Sequence, residues 1–432
     1  MLRIPKGKDR DVRDDYESAV RWLREARSVA FGEGDNDLED LRREIDVYRS
    51  LRDRGFENPP ESAGFARVGA AGPQTLPLLP GGKMLEARSL LSAEALAMFE
   101  ERARSLRYFH ARNLPPTLNH QSEDGLKIRL SHRPLGRLGI LLPQRGMAVS
   151  LLMALAVPAQ VAGVEDILVA LPPEPGGEPS PGVLAACDLL GIRQVLVGSG
   201  SEAVCALVLG TAETAPVDLL VGEESERARL AMIELAGECE VEATDSIGDL
   251  CILTDGQDVS PDQVATELLV HAELGGPGMR ALLCSSEPFL EASLAALDRQ
   301  YSFLKRGHKA VVRRTLEARC RALPLRSLRR GTEIIRAIQP ERLHLLVHTP
   351  HKLLGDLEDV GQIHVGQEAA PSLSIRDGAF FCVPGGTRGR IATPSRFLEP
   401  VTSYRGGDQV QRGPVDSDRD RIRQVWREFE AH

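Results

Sequence analysis

Aromatic residues make up only 4% of this 432-residue chain, so leucine, alanine and valine must fill whatever cores it forms. No apolar run reaches the roughly 18 residues that a membrane-spanning helix needs. The opening stretch MLRIPKGKDRDVRDDYES lacks an apolar segment, so no secretory signal is expected and a cytoplasmic location is. Positive charge is not in excess: the formal net charge is -9, which argues against nucleic acid or an anionic membrane as the main partner. The seven cysteines (Cys187, Cys205, Cys239, Cys251, Cys284, Cys320, Cys382) stand singly, with no CxxC pair. An odd, scattered set argues against a disulfide framework or a zinc knuckle and fits a reducing compartment. No GxSxG elbow occurs, and no Cys–His–Asp or Ser–His–Asp set can be picked out.

What is present points to a soluble α/β protein. Hydrophobic residues at 42% and charged residues at 27% suit two or three globular domains. AVRWLREA and DLRREIDVYRSLRDRG have helical spacing, and 56–83, rich in proline and glycine, reads as a loop. LSAEALAMFEERARSLRYFHA predicts a helix over 92–112 capped near Ser92. From 137 the pattern changes. RLGILLP, EDILVALPP, QVLVGSG and VDLLVG are continuous apolar strands separated by helical stretches, one of which ends at Gly191. A second alternating block begins near 248 with DLCILTD, a helix opened by Ser260 and Pro261, RALLCSS, RLHLLVHTP and GQIHVG. Apolar strands alternating with helices indicate parallel sheets buried on both faces, here as two Rossmann-like domains. The tail from about 400 is polar and ends in an acidic–basic helix.

Two local signals invite function. GSGSE, holding Gly198, Gly200 and Glu202, follows a strand and could let backbone approach a phosphate; tight turns explain the same glycines. Residues 305–330 are basic, but few aromatics interleave, which fits a solvated helix face or an acidic partner better than a base-stacking surface.

RYFHARNLPP, PLGRLGILLP, VPAQVAGVEDILVALPP, LAACDLLGIRQVLVGSGSEAVCALVLGT, VDLLVG, LLVHAEL and IQPERLHLL together resemble the histidinol dehydrogenase family, in order and spacing, over roughly 100–400. The resemblance implies two Rossmann-like domains, one inserted in the other. It divides the chain into N-terminal helices and the first part of domain 1 (1–134), inserted domain 2 (135–236), the rest of domain 1 (237–400) and a tail (401–432). It also implies a homodimer whose tail reaches the partner's site, one zinc per site, and NAD-dependent oxidation of L-histidinol in histidine biosynthesis.

The family's site residues carry over poorly. A zinc-binding Gln and His, three apart on one helix, become His271 and Leu274; leucine cannot ligate. The Asp ligand falls at SIR, with Asp377 the nearest carboxylate, and the last His ligand could be His432. The acid–base Glu–His pair becomes Glu341–Arg342, and arginine stays protonated. His344 would share a strand face with Arg342 and could partly compensate; otherwise Glu341 and Arg342 form an ion pair or bind an anion. The cofactor-contacting Tyr, Gln and Asn become Leu141, Glu202 and Ser225. The PGGTRGR stretch matches a family loop, where Arg388 and Arg390 could hold a carboxylate or phosphate.

Metal, base and cofactor positions are all changed, and hydride transfer needs each of them. The expectation is a non-catalytic or repurposed paralogue, without zinc or NAD, acting through binding or assembly as a homodimer or with a protein partner. The alternatives are a divergent zinc- and NAD-dependent dehydrogenase, or a different enzyme acting on a small anion held by Arg342, Arg388 or Arg390.

Overall fold

The structure is a computed structural model. It describes residues 2–7, 16–28, 38–54, 76, 78–121, 127–143, 148–174, 177–222, 225–243, 248–273, 278–304, 306–357, 360–367, 382–383, 390–391 and 394–405.

Among the described residues four helices come first: α1 (Tyr16–Ser28), α2 (Leu38–Asp53), α3 (Gly81–Ser89) and α4 (Ala93–Ala111). Ser92 caps α4 by accepting from the Ala95 N–H at 3.2 Å, as expected. β1 (Leu118–Gln121) and β2 (Lys127–Pro134) form a hairpin. The first parallel block follows: β3 (Arg137–Leu141), α5 (Ala148–Ala162), β4 (Asp166–Leu171), α6 (Pro181–Leu189), β5 (Gln194–Val197), α7 (Gly200–Leu209), β6 (Leu219–Gly222), α8 (Glu226–Glu234) and β7 (Glu240–Ala243). The second comprises β8 (Leu250–Thr254), α9 (Pro261–Glu273), β9 (Arg280–Cys284), α10 (Glu287–Phe303), α11 (Arg306–Arg319), β10 (Cys320–Pro324), α12 (Leu328–Ile338), β11 (Arg342–Leu346) and β12 (Gln362–Val365). The short pair β13 (Cys382–Val383) and β14 (Arg390–Ile391) and the longer β15 (Leu398–Arg405) complete the described chain.

Both blocks have the same winding. The first sheet runs β5-β4-β3-β6-β7 and the second β10-β9-β8-β11-β12, all parallel. In each, the first strand is central and the order reverses beside it, the doubly wound pattern of Rossmann-like folds. Helices cover both faces. Leu138, Ile140 and Val169 pack under α3 to α6, while Leu141, Leu168 and Leu220 pack under α2, α7 and α8. In the second sheet Leu250, Ile252 and Leu282 meet α9 to α11, and Cys251, Leu253 and Leu343 meet α1 and α12. The helices of 38–111 therefore pack on the first sheet, although the resemblance groups 1–134 with the second.

Three further features differ from expectation. The basic stretch 305–330 is broken by strand β10, and its cations are dispersed: Arg319 is buried, Arg321 lies over Trp22, and Arg330 lies over Tyr16 and meets Glu333. α3 begins inside the proline- and glycine-rich segment read as a loop. β2 pairs with β15, so the start of the tail is an antiparallel strand. The terminal acidic–basic helix lies outside the described residues. No helix among the described residues is long and apolar enough to cross a membrane. Cys187, Cys205, Cys239, Cys251, Cys284 and Cys320 are free thiols.

Candidate functional site

Parallel strands bring their first residues to one edge. In the second sheet, Arg342 stands opposite Leu250 and Gln362, Leu250 opposite Arg280, and Arg280 opposite Cys320. Side chains alternate along a strand, so His344 and His364 share this face one step further along. α9 covers the face through Val264, Ala265, Leu268 and Ala272, and brings His271 over it in its last turn. The helix starts cleanly because Ser260 and Gln263 form a reciprocal cap: each side chain accepts from the other's backbone N–H, at 3.2 and 3.1 Å.

The result is a buried polar cluster at the N-terminal edge of the sheet. The Arg280 guanidinium donates to the Gly278 carbonyl and, at 3.0 Å, to the His271 carbonyl, tying the end of α9 to β9. Asp249, just ahead of β8, accepts from the Met279 N–H at 2.7 Å and gives its own carbonyl to the Arg342 N–H at 3.1 Å. Glu341 lies against Gly248, where a Cβ would overlap its carboxylate. Glycine there leaves room for the acid.

The histidines differ in state. Burial drives the His271 pKa well below its ordinary value, and the charges of Arg280 and Arg342 push it the same way. It is a neutral imidazole, and neither ring nitrogen has a hydrogen-bond partner among the described residues. Burial also lowers His344, partly opposed by its 2.9 Å contact with the Gly366 carbonyl. A carbonyl can only accept, so Nε2 carries the proton and Nδ1 is left as a buried acceptor without a partner among the described residues. The Gln362 amide likewise has no partner among the described residues at either end. Burial lowers Arg280 to about 10, so it stays charged at neutral pH, and raises Cys320 to about 12, so it stays a thiol.

Of the residues singled out in the sequence, His271, Glu341, Arg342 and His344 thus come to one edge. Arg342 and His344 do share a buried face. Asp377, Arg388 and His432 lie outside the described residues, and for Arg390 only its backbone place in β14 is described. Arg280, Asp249, Gln362 and Gly248 were missed. A polar residue heading an apolar strand is unremarkable in sequence; only the register brings Arg280 and Gln362 into line, and Asp249 and Gly248 join them just ahead of β8.

Gly198, Gly200 and Glu202 are elsewhere, after edge strand β5 of the first sheet. Gly200 adopts φ +61°, and Gly198 sits under Leu76. The first turn of α7 is already served by α2: Glu44 accepts from Ser201 at 2.8 Å and pairs with Arg227 at 2.6 Å, and the Tyr48 hydroxyl donates to the Glu202 carbonyl at 3.2 Å.

A family model described as histidinol dehydrogenase matches residues 73–377, more than half of the chain. The chain belongs to the histidinol dehydrogenase family. It is 33% identical to a histidinol dehydrogenase of Deinococcus radiodurans, over 62% of this chain and 60% of that protein, less than two thirds of its length. It is 30% identical to one from Chromobacterium violaceum, over 76% of this chain and 75% of that one. The solved histidinol dehydrogenase of Elizabethkingia anophelis shares the fold, with TM-score 0.77 and 20% identity over 90% of this chain and 88% of that chain.

The histidinol dehydrogenase cofactors can be tested against these residues. For zinc, the described residues offer no group of three His, Cys, Asp or Glu side chains able to hold a metal. His271 alone is poised, and two guanidinium charges act on it, which opposes a dication. For NAD, the first turn of α7 is already engaged by α2, with the Ser201 hydroxyl bonded to Glu44 and Glu44 paired with Arg227, and the buried Glu202 adds an acidic group there. Among the described residues neither group finds a complete set of partners, and two of the three candidate zinc ligands, Asp377 and His432, lie outside them.

Glu202 yields a test of its own. Burial first, and the Glu44 charge second, raise its pKa to about 7 from 4.5. The folded protein therefore binds this proton more tightly than the unfolded chain, so stability is full below about 4.5 and falls as pH rises to about 7. Glu202→Gln removes that loss. Unfolding midpoints should show the variant about 2 kcal/mol more stable at pH 8, after allowance for solvent screening, and no more stable at pH 4.5. A gain of equal size at both pH values would rule the cause out.

Proposed function

We propose that this chain uses the histidinol dehydrogenase framework without hydride transfer, as a cytoplasmic, homodimeric binding protein. One observation carries the reading: Arg342 is buried beside Glu341, at the place where the family pattern has its proton-shuttling histidine. A guanidinium cannot exchange a proton near neutrality; His271 is flanked by two cations that oppose its protonation, and His344 is buried and donates its Nε2 proton to the Gly366 carbonyl. The surviving Glu341 has no proton relay beside it in Arg342, and the surrounding charges favour holding an anion over activating water.

The test is NADH formation from L-histidinol by the purified chain, with zinc and then manganese added. The expected result is no turnover above background, with neither metal retained and no rise in melting temperature on adding NAD. Turnover abolished by Glu341→Gln would establish a rebuilt dehydrogenase and sink the proposal. A second reading, an enzyme acting on a small anion in the same cleft, is favoured by the buried pair Arg280 and Arg342.

A further inference from the structure

We infer that the N-terminal edge of the second sheet is a binding site for a compact oxyanion, a carboxylate or phosphate group, held by Arg342, His271 and Gln362 with Arg280 supporting the charge. The inference rests on the non-dehydrogenase reading of the same edge. Its observations are the unmet polar groups. His271 is 3% exposed and Gln362 8%, and among the described residues no side-chain nitrogen or oxygen of either has a partner. Burying such groups unbonded is costly; His271 feels the Arg342 charge and Gln362 is Arg342's lateral neighbour, so both gather around one cation where a further group can complete them.

The charge decides what that is. The guanidiniums of Arg280, Arg342 and Arg319 lie in one network, against the carboxylates of Asp249 and Glu341. Asp249 is partly engaged by the Met279 N–H, and Glu341 is set back over Gly248. A metal cation at His271 would face Arg280 and Arg342; an anion there would be attracted by both. A neutral imidazole and an amide can each donate one hydrogen bond to it, and a guanidinium can donate two in parallel. The cluster is buried under α9, so the group that enters is small.

The test is isothermal titration calorimetry of the full chain with succinate and, separately, inorganic phosphate, at constant ionic strength set with chloride. Saturable binding of either anion, weakened roughly tenfold or more by Arg342→Met and by His271→Leu, is the expected result. Binding of only one of the two supports the site and identifies its preferred geometry. A second readout separates binding from structure. His271→Leu and Gln362→Leu remove unbonded buried polar atoms, so without added anion both variants should melt about 2–6 °C higher than the parent even as affinity falls. No saturable binding of either anion, binding unchanged in both Arg342→Met and His271→Leu, or zinc binding that depends on His271 would each overturn the site. A chain that oxidises L-histidinol refutes the reading beneath it; a chain without turnover that ignores both anions refutes the site alone.

Discussion

Arg280→Met should destabilise the chain by about 3 kcal/mol or more, because a buried cation that serves two backbone carbonyls cannot be removed without leaving them bare. The guanidinium is fully buried and bonds the Gly278 and His271 carbonyls. The His271 carbonyl lies in the last turn of α9, among the helix-end acceptors that the helical ladder itself does not serve. Methionine fills a similar volume and replaces neither donor. Asp249 also loses a cation that acts on it. Arg280→Lys should recover less than half of the loss, since one ammonium on a flexible stem cannot reproduce a rigid fork spanning two acceptors. Urea unfolding of parent and variants at pH 7 measures this. A methionine variant within about 1 kcal/mol of the parent would mean that the fork contributes little beyond packing.

The two parallel blocks were legible because buried parallel strands read as unbroken apolar runs. DILVAL, QVLV, LCILT and RALLC need no partner to be recognised as core strands. Their helix boundaries were equally local. Gly191 takes φ +72°, with the Ile192 N–H bonded to the Cys187 carbonyl at 2.9 Å and its own N–H to the Asp188 carbonyl at 3.0 Å, so the glycine ends α6 by the expected left-handed turn. What escaped was non-local. β1 is exposed along its whole length and β2 has no buried residue, so neither presents the buried apolar face that marks a strand. β2 is defined by its pairing with β15, at the far end of the chain. Which sheet an amphipathic helix covers is also unreadable from its own stripe: Leu41, Ile45 and Tyr48 would suit either core.

The site was half legible, for the same reason. His271, Glu341, Arg342 and His344 were found by comparing positions with a family pattern, and β11 does put Arg342 and His344 on one buried face. Arg280 and Gln362 head strands β9 and β12, and only the lateral register that sets both beside Arg342's row gives them meaning. The location itself runs against habit. Doubly wound sheets commonly bind ligands beyond the C-terminal ends of their strands, at the switch point. In the second sheet that end carries an exposed His348 paired with Asp258 at 2.5 Å, while the buried, unmet polar groups gather at the opposite edge.

The switch point of the first sheet supplies the second large effect: Gly222→Ala should cost more than about 4 kcal/mol, enough to abolish cooperative unfolding of a marginal domain. Gly222 ends β6 at φ +128°, a backbone state that an L residue adopts only under strain. Its missing side chain also matters sterically, because a Cβ there would overlap the carbonyl oxygen of Leu141, the residue paired with it on β3. A colliding side chain could rotate away, but this atom is backbone. Moving it would disturb the end of β3, where the Leu142 N–H bonds the Ala170 carbonyl at 2.9 Å. Gly200 is the control. It too has positive φ, +61°, but a Cβ there would meet nothing within 4 Å. Gly200→Ala should therefore cost only about 1–2 kcal/mol, the backbone term alone. If urea unfolding finds the two variants equally stable, close approach of β3 and β6 is not what requires glycine at 222. If only Gly222→Ala collapses, the narrow gap between β3 and β6 is intolerant of even one added methyl.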